Sequence, residues 1–161
     1  MSASVQLFSN KAFDTSVVPL IKGLNECFGL STKASFVFLA AYGMKYPDRI
    51  DFSNRISYEA KGRGSEWRDD TDNETLGPAV DILIERQAQK DGYTFQQVRT
   101  DGVLLKKVTD ELMAIATCTA LWMLNNDLES FKKGVSPSNK QDFIIIVADF
   151  LKELAESPEP F

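Results

Sequence analysis

The residue types best placed to do chemistry lie at Pro47-Asp48, followed after ten intervening residues by Glu59-Ala60-Lys61. This has the form of the PD…ExK signature of restriction-type nucleases. Asp48 and Glu59 would give hard oxygen ligands to Mg²⁺, and Lys61 would position water or stabilise charge at the scissile phosphate. Two short alternating runs, Arg49-Ile50-Asp51-Phe52 and Arg55-Ile56-Ser57-Tyr58, flank Ser53-Asn54 and predict a small hairpin that would bring the two carboxylates together. The same residues also read simply as a proline helix stop followed by a solvated, charged hairpin.

Other catalytic sets are excluded at once. The chain of 161 residues has no histidine, which removes Ser-His-Asp and Cys-His arrangements and every imidazole metal site. Its two cysteines, Cys27 and Cys118, stand far apart in apolar contexts, so they predict buried reduced thiols rather than a zinc site or a disulfide. Asp69-Asp70-Thr71-Asp72-Asn73-Glu74 invites a calcium reading. However, Thr75 falls where an EF-hand needs glycine, and Asp81 where it needs a bidentate glutamate. These carboxylates are better placed to solvate a loop and favour the N-terminus of the helix after it. No resident cofactor is expected, Mg²⁺ entering only under the nuclease reading.

A binding surface is the competing reading. Lys45, Arg49, Arg55, Lys61, Arg63 and Arg68 place six of the eighteen basic residues in one short stretch, with Trp67 among them. Arg49, Arg55, Lys61, Arg63, Trp67 and Arg68 are accordingly candidate contacts to a protein partner or to phosphate, Trp67 serving as an anchor or stacking platform. Lys61-Gly62-Arg63-Gly64 lacks the following GK[ST] of a phosphate-cradling loop. Over the whole chain the net charge is −5, which argues against a general nucleic-acid-coating protein. The second half is acidic in balance, and this keeps open an inhibitor, of phage type, presenting carboxylates to a nucleic-acid-binding enzyme.

The elements that must position these groups follow from the apolar spacing. Val17, Leu20, Ile21, Leu24 and Phe28 predict a helix over 15–28, begun by Asp14 or Thr15 and stopped by Gly29. Ser31 or Thr32 opens a second helix, apolar almost all round from Phe36 to Tyr42 and therefore central, which Pro47 ends. Residues 61–75 read as an exposed charged loop. A helix over 78–90 follows, then a short strand over 93–98 between Asp-Gly turns, a long helix over 104–125, and a last helix over 138–156. Phe143 to Val147 has strand propensity, but the residues after it keep the helical period. Residues 157–161, with Pro158 and Pro160, are expected to form a disordered tail.

The expected fold class is thus mainly α: one compact helical domain spanning 1–161, with about five helices and at most a small two-stranded hairpin. The aromatic and methionine residues Phe36, Phe38, Tyr42, Met44, Met113, Trp122 and Met123 are assigned to its core. An apolar face on the long helix would equally serve a homo-oligomer. Without a signal peptide, and with no apolar run near the roughly 20 residues a membrane span needs, a cytoplasmic protein with no membrane partner is expected.

The segment Phe28-Gly29-Leu30-Ser31-Thr32-Lys33-Ala34-Ser35-Phe36-Val37-Phe38-Leu39-Ala40-Ala41-Tyr42-Gly43-Met44 resembles the opening of small proteins encoded beside bacterial DNA phosphorothioation (Dnd) genes. In those proteins a short helix of this kind is followed by a basic stretch. The apolar 114–128 segment and the closing amphipathic helix fall in a similar order. The resemblance implies an accessory role in DNA modification or anti-phage defence and carries over no active site. The leading expectation is a non-enzymatic adaptor that binds a protein partner, with DNA contact through the local basic patch.

Overall fold

The computed structural model of the chain describes residues 5–6, 18–50, 66–67, 76–126 and 137–156. Among these residues the architecture is helical: α1 (Val18–Phe28), α2 (Thr32–Lys45), α3 (Leu76–Lys90), α4 (Phe95–Thr100), α5 (Gly102–Asn126) and α6 (Pro137–Glu156). A 3₁₀ turn, Pro47–Arg49, follows α2. The sheet content is one antiparallel pair of two-residue strands, β1 (Val5–Gln6) and β2 (Glu66–Trp67), with Val5 opposite Trp67.

Local chemistry sets the helix ends. Gly29 takes φ +68 after α1, a conformation costly for a residue with a Cβ, and lets the Leu30 amide reach back to the Leu24 carbonyl at 3.4 Å. Ser31 then caps α2, its Oγ accepting from the Ala34 amide at 3.1 Å. Asp101 begins α5 in the same way, its Oδ1 accepting from the amides of Val103 at 2.9 Å and Leu104 at 3.4 Å. This cap starts α5 two residues before the expected position. Likewise α3 begins at Leu76, which leaves Pro78 in its first turn, where the missing N–H costs no helical bond.

Two expectations are corrected. Residues 93–98 do not form a strand. Thr94 and Gln97 make a reciprocal capping box, with Gln97 N donating to Thr94 Oγ1 at 3.1 Å and Thr94 N to Gln97 Oε1 at 2.9 Å. Phe95 and Val98 then lie three apart on one helical face, and Val98 is fully buried. In the expected hairpin, Arg49 closes the 3₁₀ turn and Ile50 is a buried bend instead of both opening a strand. The rest of that hairpin, together with residues 61–65, 68–75 and 157–161, lies outside the described residues. By contrast, Phe143–Val147 is helical, as the flanking period requires: Phe143, Val147 and Phe150 point inward from α6.

A single contiguous core is built on α2 and α5. On α2, Phe36, Phe38, Leu39, Ala40, Ala41, Tyr42 and Met44 are all buried, so the helix has almost no solvent face. On α5, burial is nearly continuous from Leu112 to Leu124, within the core of the single chain. Buried Thr109 and Thr119 return their hydroxyls to their own helix, to Leu105 O at 2.7 Å and Ile115 O at 2.8 Å. Helices α3 and α4 cover one side of α5, while α1 and α6 pack against each other and against α2. Cys118 is buried and Cys27 half-buried, both as free thiols. Among the described residues no helix is long and apolar enough to cross a membrane.

The crossing of α2 and α5 is tightest at Gly43. A Cβ there would stand 2.3 Å from Thr119 Oγ1 and 2.7 Å from Ile115 Cγ2. Helix propensity favours alanine over glycine by about 1 kcal/mol, but overpacking a dense core costs about 1–3 kcal/mol. With contacts this short on a β-branched pair, the clash decides the sign. Gly43→Ala is expected to lower unfolding free energy by about 1–2 kcal/mol in urea titration; an unchanged or higher midpoint would show that the helices separate freely.

Candidate functional site

The site is built at the end of α2, where the chain leaves the core through the 3₁₀ turn and meets the last two turns of α6. Tyr42 is the last aromatic residue of α2, and its ring is enclosed by aromatic neighbours. Trp122 of α5 stacks on it with centroids 6.0 Å apart, Phe150 of α6 meets it edge-on at 5.4 Å, and Tyr46 lies at 4.9 Å. A buried phenol needs a partner for its hydroxyl. Tyr42 Oη donates to Glu153 Oε2 at 2.7 Å and accepts from Arg49 Nη1 at 2.7 Å.

Arg49 closes the triangle. Its Nη1 also reaches both oxygens of Glu153 at 2.9 Å, and its guanidinium carbon sits 4.3 Å over the Tyr46 ring. Tyr46 Oη donates to the Glu153 carbonyl at 3.1 Å, and Lys45 Nζ donates to the Leu154 carbonyl. Lys45 thereby satisfies a carbonyl near the end of α6, where cationic groups also complement the helix dipole. Burial raises the Tyr42 hydroxyl far above the usual phenol range, and the bonded Glu153 raises it further. Burial also pushes the Glu153 carboxyl up, but the hydrogen bonds from Tyr42 and Arg49 outweigh it and hold the group below its ordinary value.

Against this cluster lies an open groove of about 490 Å³ between α5, α6 and the 3₁₀ turn. Its floor is Trp122, Ile146 and Phe150, and its rim carries Arg49, Asp149 and Glu153. Lys152 and Glu156 extend the rim toward the end of α6. Apolar floor and charged rim of both signs are the layout of a binding surface.

Of the residues singled out from sequence, Asp48 is exposed on the 3₁₀ turn and Arg49 adjoins the groove. Trp67 has its backbone in β2, paired with Val5. Glu59 and Lys61, the expected partners of Asp48, lie outside the described residues, as do Arg55, Arg63 and Arg68. The acidic run 69–74 lies outside them too. Among the described residues no group of three or more cysteine, aspartate or glutamate side chains could hold a metal ion. Sequence reading placed Tyr42 and Trp122 in the core, and missed that they also support the site. Glu153 and Asp149 were missed altogether, since each is one acidic residue among several on an amphipathic helix. The signal available was Tyr42 itself, a phenol on an otherwise apolar helix and hence in need of a distant polar partner.

No family model, curated protein or solved structure matches this chain.

A carboxyl whose folded-state pKa lies below its unfolded value contributes stability above about pH 4.3, and loses it as pH falls through the folded value. Glu153→Gln is therefore expected to be less stable than wild type at pH 7, with the gap in urea midpoint shrinking steadily below about pH 4. A gap that stays constant down to strongly acid pH would show that the charge of Glu153 contributes nothing.

Proposed function

We propose that this protein is a non-enzymatic accessory or adaptor protein of a DNA-modification or anti-phage defence system, acting by binding a protein partner. The observation that carries the reading is the groove: an aromatic and aliphatic floor of Trp122, Phe150 and Ile146 inside a rim of charges. Protein interfaces concentrate their energy in such places, on large apolar anchors shielded by a polar surround. The charge-dense stretch of the sequence, 49–68, begins at Arg49 on the rim. A partner seated in the groove would therefore meet the start of that stretch, and a basic patch there would favour a partner already at DNA. The place in a defence system comes from the resemblance of residues 28–44 to proteins encoded with phosphorothioation genes.

The Tyr42–Arg49–Glu153 triangle serves this reading as scaffold. Each of its polar groups is already bonded within the chain, which fixes one wall of the groove before anything binds and reduces the ordering cost of association.

Affinity purification of the tagged chain from cells that express it is the direct test. Wild type is expected to recover a protein partner in stoichiometric amount, and the double reversal Asp149→Lys with Lys152→Glu to recover at least tenfold less, with unchanged helical circular dichroism. Recovery of no partner by wild type would overturn the adaptor reading. Calorimetry with Mg²⁺ provides the opposing arm. Saturable binding lost in Asp48→Ala, accompanied by cleavage of DNA, would put a nuclease using Asp48, Glu59 and Lys61 in its place.

A further inference from the structure

The charges on α6 are not scattered around the groove. Asp142, Asp149 and Glu156 follow one another at intervals of seven residues and are all exposed. Seven residues make nearly two helical turns, so the three carboxylates form a line with about 10 Å between successive members. At 100° per residue this line falls beside Ile146 and Glu153, on the side of α6 that faces the groove. Exposed Ile145 lies further round the helix, as does Lys152, which still reaches the groove rim as its one α6 cation.

Their charge is largely uncompensated. Glu153 is neutralised by Arg49 at 2.9 Å. Glu156 has only a loose, exposed contact with Lys152 at 3.8 Å, of the kind that contributes little. Among the described residues Asp142 and Asp149 have no cationic partner. The groove thus joins an apolar floor to an acidic edge at Asp149 and Glu156, and Asp142 continues that line along α6 beyond the groove lining.

We infer that the groove takes a basic amphipathic helix of the protein partner, with one bulky apolar side chain on Trp122, Phe150 and Ile146 and cationic side chains along Asp142, Asp149 and Glu156. This rests on the adaptor reading above and names the chemistry of its partner. A helix is the occupant that presents cations at the same seven-residue spacing on one side and an apolar stripe beside them. The acidic line steers and orients it, while the floor holds it. A nucleic acid is disfavoured on this face, because its phosphates would meet carboxylates.

The test uses the full chain and two fluorescein-labelled synthetic helices of about eighteen residues. Both carry a leucine stripe; one has lysines at seven-residue spacing beside it, the other glutamates in their place. By fluorescence anisotropy the lysine peptide is expected to bind at least tenfold tighter than the glutamate peptide, and to weaken as salt is raised. The triple variant Asp142→Lys, Asp149→Lys, Glu156→Lys is expected to lose at least tenfold in affinity for it. Glu85→Lys, a reversal at an exposed site on α3, is expected to change nothing. Equal binding of the two peptides, insensitivity to the triple reversal, or no binding of either would overturn the inference. So would a dimer in sedimentation that Asp149→Lys dissociates, which would assign the groove to a second copy of the chain. The two proposals fail separately. A partner recovered equally by wild type and by the triple variant overturns the basic helix and leaves the adaptor standing, whereas wild type that recovers no partner overturns the adaptor.

Discussion

The close crossing of α2 over α5 is the constraint from which the other contacts follow. Hydrogen at the Cα of Gly43 lets Ile115 and Thr119 come within the distance that any side chain would occupy. Both helices are then buried on nearly all sides, and the remaining helices only need to cover what the pair leaves open. Because the two axes are close, Tyr42 and Trp122 reach each other from neighbouring turns and stack. The aromatic floor of the groove is in this sense a by-product of the crossing, its edge left uncovered where α6 runs past.

The Tyr42–Arg49–Glu153 triangle shows how a polar group is accommodated at the border of such a core. A lone phenol hydroxyl buried there would cost about 1–3 kcal/mol. Here it sits between a carboxylate and a guanidinium, donating to one and accepting from the other, so neither charge is stranded. The arrangement ties together three elements distant in sequence: the end of α2, the turn after it and the end of α6. It also ties Arg49 and Glu153, although roughly two-fifths exposed, into one wall of the groove.

How much could be read beforehand depended on how local each determinant was. Ser31, Gly29 and the Asp101 region act on their own neighbours, and the helices they bound were legible to within a few residues. The apolar circumference of α2 announced its central position. Residues 143–147 were legible as helix because Phe143, Val147 and Phe150 share a face, whatever the propensity of three consecutive isoleucines. Residues 93–98 were misread because Tyr93 and Phe95 alternate like a strand, while the Thr94–Gln97 box that overrides them is a two-residue signal. The groove was not legible at all. It takes Arg49 from a turn, Trp122 from α5 and Phe150 from α6, and no spacing within one segment connects them.

The order of the chain has a consequence for its synthesis. Helix α2 is apolar around nearly its whole girth, yet the helix that buries it most completely, α5, begins only at Gly102. At about 5–20 residues per second the ribosome needs several seconds to add the chain between Lys45 and that point, and longer to free it from the exit tunnel. During that interval α2 has only α1 and α3 to pack against, and the face that α5 will cover stays open to solvent or to a chaperone. The segment most central to the finished molecule therefore waits for its main partner until late in synthesis, and α2 is where a nascent chain would need protection.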